Sequence, residues 1–457
     1  MKVRRCLWTL ALAGVMACTR GVAADMQEET TRGRVLYSPQ RGAIGVFDFP
    51  ETAPATPQTL LEANNREGWG KIFYDEGTDT YTIRTDLWIG TDQDLGTYLQ
   101  IGDADHPRAS VVVRGTVWVR PPRESLRRPD GRLAIMNRLR LGVPDDPSIR
   151  PSLRFDCETP GEHGLYVGYR PAKFSDWGKD VQSRGGLHLY HATVTALRQD
   201  PEHTWGTDAY RTEDARYPWS APGWYGSDIR VIDSTVSWFK DTPCYAAQAH
   251  NSTIRGSTFA HGDRPFKNGR YLFEGCTFRD QETPCLGTSI RYINCTFENN
   301  RYNWRGGGVT FLDCTLGEQE QPIDLRKRKL TAAQVRRGAD TYPSTRMRRS
   351  LVVRVVDEIG QPVPDAMVVV SCDDAPDQVT RGAALTDADG RTPSDPQGEA
   401  IVVTERKWQA TDDPDAPRES TYTYEVTVAA VGLAEKTASF TTERGVPRPF
   451  VVVLGQE

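Results

Sequence analysis

Acidic residues recur two positions before a proline in the centre of the chain, at a spacing that could bring several carboxylates together. The three motifs are Asp241-Thr242-Pro243, Asp263-Arg264-Pro265 and Glu282-Thr283-Pro284. If the motifs stack at one corner of a repeating fold, neighbouring acids lie about 4.8 Å apart. Adjacent carboxylates repel one another, so such a column requires a bound cation or nearby basic side chains. The sequence therefore predicts a candidate site at this corner.

The carboxylates support two kinds of chemistry. Calcium binds several carboxylate oxygens, so Asp241, Asp263 and Glu282 are candidate calcium ligands. In a glycoside hydrolase, Asp241 and Asp263 on adjacent coils would approach the roughly 5 to 5.5 Å separation of a retaining pair. Asp241 and Glu282, two coils and about 9.6 Å apart, would lie at the upper limit for an inverting pair.

Basic residues near the acids add a lyase to the candidates. A carboxylate-bound cation would acidify the proton beside a uronic acid group, and Lys240, His261 or Lys267 would remove it. His261 suits this catalytic role at neutral pH, because the unperturbed pKa of histidine is about 6.5. Arg264 is a candidate substrate-binding residue. The structural alternative is a polar turn in which Lys240 and Arg264 form salt bridges with the acids.

An aromatic insertion interrupts the central region. Residues 198–226 contain Trp219, Trp224 and Tyr225. Long insertions on rigid scaffolds often carry binding residues, and exposed Trp and Tyr rings can stack on sugar faces. We expect these three residues to bind substrate. The alternative is a loop that packs its aromatic side chains against the fold.

A sequence repeat must position these residues. In each copy a Thr is followed by a bulky apolar residue, and Ser or Cys usually precedes the Thr. The threonines are Thr193, Thr235, Thr258, Thr277, Thr296 and Thr315. The steps between successive threonines are 42, 23, 19, 19 and 19 residues. Coils of about 19 residues are too short for paired-helix repeats, which need roughly 33 or more. The intervening runs are rich in β-branched and aromatic residues, so the spacing predicts stacked strands with ladders of like residues.

The repeats resemble the right-handed parallel β-helix, pectin-lyase-like families of secreted polysaccharide lyases and hydrolases, most closely over residues 187–316 and more loosely over 80–186. The resemblance is to an architecture, because the chain lacks a family catalytic signature. Residues 355–366 and 386–390 resemble the carboxypeptidase regulatory-like, transthyretin-like domain, which implies an accessory module. The predicted fold class is therefore all-β: a right-handed parallel β-helix solenoid followed by a small antiparallel β-sandwich.

The first residues are typical of an export signal. Basic residues at positions 2–5 precede an apolar run at 6–17, which is too short to span a membrane. Cleavage before Asp25 would give a secreted or periplasmic protein, whereas a lipid on Cys18 would give a lipoprotein at the cell surface. An exported chain with a net charge of −5 is a poor candidate for nucleic acid binding.

Composition and periodicity divide the chain into five segments. We predict a signal peptide (1–24), an N-terminal cap segment (25–79), the parallel β-helix (80–325), a basic linker (326–349) and the β-sandwich (350–457). The cap segment and the linker would close the open ends of the solenoid, so a monomer is expected. Cys276, Cys295 and Cys314 share one column and are predicted to be small buried core residues, the alternative being a disulfide between neighbouring coils.

Two functional hypotheses follow from these features. The first is an enzyme, either a lyase or a hydrolase, that cleaves an acidic polysaccharide along the solenoid, with calcium as a candidate cofactor. The alternative is a non-catalytic cell-surface scaffold or glycan-binding protein. Under both hypotheses, the expected partner is a polysaccharide.

Overall fold

The structure is a computed structural model. It describes residues 33–90, 96–119, 137–156, 164–167, 185–196, 228–237, 253–261, 266–267, 271–281, 283–287, 290–300, 302, 304–306, 308–317, 323–324, 344–373, 375–412 and 418–456. Of the described residues, 53% are in strands and 6% in helices, so the all-β prediction is confirmed. The predicted signal peptide and Cys18 lie outside the described residues.

Two long sheets run through most of the chain. Sheet A contains, in spatial order, β31 (Val379–Thr380), β33 (Ile401–Gln409), β28 (Ser344–Leu351), β25 (Thr310–Leu312), β22 (Arg291–Ile293), β19 (Leu272–Glu274), β16 (Thr253–Arg255), β14 (Asp228–Ile232), β12 (Gly185–Tyr190), β9 (Asn137–Leu141) and β6 (Tyr98–Ile101), with β34 (Arg418–Ser420) beside β33. Sheet B contains β26 (Thr315–Leu316), β23 (Thr296–Glu298), β20 (Thr277–Arg279), β17 (Thr258–Ala260), β15 (Thr235–Ser237), β13 (Thr193–Ala196), β10 (Ser152–Phe155), β7 (Ser110–Val113), β4 (Thr80–Ile83) and β3 (Ile72–Asp75).

Four smaller sheets complete the fold. Sheet C contains β1 (Arg34–Ser38), β2 (Ala43–Phe47), β5 (Asp86–Ile89), β8 (Val117–Val119) and β11 (Leu165–Val167), and sheet D contains β18 (Phe266–Lys267), β21 (Cys285–Gly287), β24 (Trp304–Gly306) and β27 (Ile323–Asp324). Sheet E pairs β29 (Val353–Asp357) with β37 (Phe450–Leu454), and sheet F contains β32 (Ala383–Leu385), β30 (Met367–Ser371), β35 (Thr423–Ala430) and β36 (Leu433–Thr441).

The chain visits these sheets in a fixed cycle. From β16 to β28 the order along the chain is sheet A, sheet B, sheet D and then sheet A again, and from β4 to β12 sheet C takes the place of sheet D. Each strand in these stretches pairs in parallel with the strand one cycle later. Stacked parallel strands are therefore the dominant feature of the structure.

The predicted threonine ladder is confirmed by the register of sheet B. Thr193, Thr235, Thr258, Thr277, Thr296 and Thr315 occupy equivalent positions on successive strands. The next residue on each strand points into the core, where Phe278 stacks between Phe259 and Phe297 with ring centroids 5.3 and 5.1 Å away. Sheet A supplies a second buried column through Phe273, Tyr292 and Phe311, so aromatic stacking links neighbouring coils.

Sharp corners between sheets A and B explain which residue precedes the Ser or Cys of each repeat. On all eight coils from β6 to β25 the residue after the sheet A strand has a positive φ, between 48° and 78°, and these residues are Gly102, Gly142, His191, Asp233, Gly256, Gly275, Asn294 and Asp313. Glycine adopts this left-handed conformation without strain, and Asn, Asp and His tolerate it better than other residues. The repeat thus reflects a backbone requirement at the turn.

The N-terminal segment covers one end of the core. Helix α1 (Pro57–Glu67) begins at Thr56, whose side chain accepts a hydrogen bond from the backbone of Thr59 in a capping box. Leu60 and Ala63 on its buried face join the main hydrophobic core. Helix α1 lies within the segment predicted to cap the solenoid.

The C-terminal region continues directly from the stacked strands. Strand β28 pairs in parallel with β25 on one side and antiparallel with β33 on the other. Arg346, Arg348 and Arg349, which the sequence analysis placed in a linker, therefore lie on a strand within sheet A. Beyond β28, the end of sheet A and sheets E and F enclose a second hydrophobic core that includes Val353, Tyr424 and Leu454.

Candidate functional site

Most residues of the predicted site lie outside the described part of the chain. These are Trp219, Trp224, Tyr225, Lys240, Asp241, Asp263, Arg264 and Glu282. Lys267 lies on β18, where the structure describes the backbone alone. His261 is the predicted site residue whose side chain is described.

His261 lies at the corner that follows sheet B. It has a φ of 51°, and the equivalent residues on the next two coils, Asp280 and Asn299, share this left-handed conformation. The Nε2 atom of His261 lies 3.8 Å from Oδ2 of Asp280, and Nδ2 of Asn299 donates a 3.5 Å hydrogen bond to Oδ1 of Asp280. Burial lowers the pKa of His261, against the opposing effect of the Asp280 carboxylate. The imidazole is therefore mostly neutral at pH 7, as a base must be.

The neighbouring amides at this corner are structural. The side-chain oxygen of Asn300 accepts a 3.0 Å hydrogen bond from the backbone of Gln281, and its nitrogen donates a 2.9 Å hydrogen bond to the carbonyl of Phe278. Both Asn300 and Gln281 are almost completely buried. The Asn300 side chain thus binds one coil to the next, and neither side chain is accessible to a ligand.

The inward cysteine column is also structural. Cys276, Cys295 and Cys314 are buried free thiols, which confirms that they are core residues. A hydrogen bond with the neighbouring thiol and burial raise the pKa of Cys276, and burial raises the pKa of Cys295. Because the thiolate is the nucleophile and metal ligand, these thiols are inert in the folded protein. Within the described residues, no cluster of His, Cys, Asp or Glu could hold a metal ion.

A second candidate site is a stripe of basic residues on the outer face of sheet A. Residues on each strand alternate between the core and this face, as on β16, where Ile254 is buried and both neighbours are exposed. The arginine stripe consists of the outward-facing Arg138, Arg140, Arg230, Arg255, Arg291, Arg346 and Arg348. Seven guanidinium groups therefore share one face of a protein whose net charge is −5.

The strand register aligns much of the stripe in a single row. One row runs through Gln100, Arg140, His188, Arg230, Thr253, Leu272, Arg291, Thr310, Arg346 and Lys407 on ten neighbouring strands. The parallel row two residues further along each strand includes Arg255, Glu274 and Arg348. Neighbouring positions in a row are about 4.8 Å apart.

Salt bridges engage the arginines at the two ends of the stripe. At one end, Arg138 and Arg140 form salt bridges with Glu51, and at the other Arg346 lies 3.0 Å from Asp377. Arg255 and Arg291 are exposed and form no salt bridge in the described structure. Arg255 and Arg291 thus present unpaired guanidinium groups to solvent.

Sequence reasoning missed this stripe because its members are far apart in the chain. Arg140, Arg230, Arg291 and Arg346 are separated by 90, 61 and 55 residues. The available signal was the position five residues before each ladder threonine, which holds Arg230 before Thr235 and Arg291 before Thr296. Aligning the coils on threonine would have revealed it.

Comparisons with known proteins found no match to any protein family, curated protein or solved structure. Among the helices of the described residues, none is both long and apolar enough to cross a bilayer.

Proposed function

We propose that the protein is an exported right-handed parallel β-helix, closed by a β-sandwich, that binds an extended acidic polysaccharide along the arginine stripe. The regular passage of the chain through three sheets supports the solenoid. Crossovers between parallel strands are right-handed in about 98% of cases, which supports the handedness. Export, to the periplasm or cell surface and as a soluble or lipid-anchored monomer, rests on the leader sequence and on covered solenoid ends.

The observation that carries the proposed ligand is the row of arginines on neighbouring strands, together with the exposed Arg255 and Arg291, which form no salt bridge in the described structure. Guanidinium groups bind carboxylates and sulfates through paired, charge-assisted hydrogen bonds. Arg230 and Arg291 are three rungs, about 14 Å, apart, so a single small anion cannot bridge them. An extended polymer with repeated acidic groups can contact several positions together.

A lyase is the second candidate, and His261 is the observation that favours it. Its lowered pKa and partial exposure suit a base that removes a proton beside a uronic acid. His261 follows sheet B, however, whereas the stripe lies on sheet A, so sheet B separates the two. We therefore place binding ahead of cleavage, and formation of an unsaturated, ultraviolet-absorbing product would reverse that order.

The test is titration of the exported protein with uronate-containing, sulfated and neutral polysaccharides. The double variant Arg230→Gln/Arg255→Gln removes two charges from the centre of the stripe, and Arg154→Gln on the outer face of sheet B is the matched control. Each exposed ion pair contributes roughly 0.2–1 kcal/mol, so the double variant should weaken binding of the acidic polymer by roughly 2- to 30-fold. Equal losses in the control, or no binding of any acidic polymer by correctly folded protein, would refute the proposal.

A further inference from the structure

The arginine stripe ends against the C-terminal unit, by which we mean the end of sheet A and sheets E and F around the second hydrophobic core. Strand β33 follows β28 in sheet A, so Lys407 lies beside Arg346 in the same row. Above this row, Ile293 and Leu312 are buried with Val402 in a separate apolar cluster, although their positions are on the outer face of sheet A. The C-terminal unit therefore covers the face at this point and closes one end of the stripe.

Polar contacts fix the basic side chains at this junction. One nitrogen of Arg348 donates a 2.8 Å hydrogen bond to Oγ1 of Thr380, and another donates a 3.4 Å hydrogen bond to the carbonyl oxygen of Asp377. The Nε atom of Arg348 is buried and has no hydrogen-bond partner. These contacts hold Arg348 in place and leave its Nε–H group without a hydrogen-bond acceptor.

Positive charge exceeds negative charge at the junction. Burial lowers the pKa of Arg348, and the nearby Arg346 and Arg291 lower it further. The Asp377 carboxylate accepts a hydrogen bond from Gln378, which lowers its pKa, and Arg346 and Lys407 add to this shift. Arg346, Arg348 and Lys407 therefore lie near one carboxylate, and the cluster retains capacity for a second anion.

Asp377 has the properties of an internal competitor. Its side chain is 62% exposed, although Oδ2 lies 3.0 Å from Arg346. An exposed ion pair of this kind contributes only roughly 0.2–1 kcal/mol, so an incoming anion can replace the carboxylate at little cost.

We infer that Arg346, Arg348 and Lys407 form an end site for one acidic group of a glycan, and that Asp377 occupies this site when no ligand is bound. The ligand is a terminal carboxylate or sulfate ester, since both present the oxygen pair that guanidinium groups bind. This inference rests on the proposed function and adds a fixed end to the stripe. A ligand then binds with its terminus against the C-terminal unit.

The test uses free glucuronate and inorganic sulfate as single-anion probes, titrated into the full protein at constant ionic strength. Asp377→Asn removes the competing charge and should tighten binding of the favoured probe by about 1.5- to 5-fold. Lys407→Gln, which removes one charge beside Arg346, should weaken it by a similar factor. Arg154→Gln should leave it unchanged, and the tighter-binding probe identifies the acidic group.

The outcomes separate this inference from the proposed function. If neither probe binds, or if Asp377→Asn and Lys407→Gln leave affinity unchanged, the end site is refuted. The stripe survives that result provided that Arg230→Gln/Arg255→Gln still weakens binding of the acidic polymer. If the single anions respond as expected while the polymer fails to bind, the junction is an anion site and the polysaccharide proposal is wrong.

Discussion

Adjacent residues on β19 provide a direct test of the strand register. Phe273 is completely buried, and its ring stacks on Tyr292 at 5.1 Å and meets Phe278 edge-on at 5.2 Å. Leu272, one residue earlier, faces outward and is 39% exposed. Because side chains alternate between the faces of a strand, a shift of one residue would exchange the two environments. The two truncations should therefore have very different effects on stability.

Truncation of Phe273 removes transfer free energy and leaves a cavity. A buried Phe→Ala change costs about 3–5 kcal/mol, and the loss of ring contacts with Phe259, Tyr271, Phe278 and Tyr292 favours the upper part of that range. Leu272→Ala, at an exposed position, should cost at most about 1 kcal/mol. Urea unfolding followed by circular dichroism gives both values. Equal costs for the two variants, or a larger cost for Leu272→Ala, would refute the register and with it the arginine stripe.

Three further predictions concern the corners and the core. Asp313→Ala should lower the free energy of unfolding by about 2–3 kcal/mol, because its carboxylate accepts hydrogen bonds from the backbone nitrogen (3.0 Å) and hydroxyl (2.6 Å) of Ser350 and pairs with Arg448 at 2.8 Å; a wild-type urea midpoint would contradict this. The raised pKa of Cys276 means that its neutral thiol contributes stability below about pH 8.5 that is lost as pH rises, so Cys276→Ser should reduce the fall in urea midpoint between pH 8 and pH 10. Asp280→Asn should lower the pKa of His261 further in an NMR titration, since the carboxylate favours the protonated imidazole; an unchanged pKa would show that the 3.8 Å pair is absent in solution.

The sequence predicted the coil register because the backbone enforces it. Left-handed corners select Gly, Asn or Asp before each Ser or Cys, so the pattern survives even where the steps vary between 19 and 42 residues. The aromatic column follows from the same alignment, since residues stacked about 4.8 Å apart share one environment. These features depend on local conformation and on burial, which are visible in a single sequence.

The strand β28 was missed because its composition masked its pattern. Arg346, Arg348 and Arg349 gave the segment the appearance of a solvated basic linker, yet Thr345 and Met347 between them are buried. That alternation is a strand signature, and the adjacent Arg348 and Arg349 interrupt it where the pairing with β33 has an irregularity. Charge alone was therefore a poor guide to exposure on this strand.

The stacked strands make weak contacts effective by repeating them. From Arg140 to Arg346 the row crosses seven rungs, which corresponds to about 34 Å. Single exposed ion pairs are weak, but groups on one polymer bind at a high effective concentration once the first contact forms. Affinity for acidic oligosaccharides should therefore increase with length up to about 34 Å and then level off. A series of size-fractionated oligouronates measures this dependence, and an affinity that is independent of length would mean that the ligand uses one position on the protein and not the stripe.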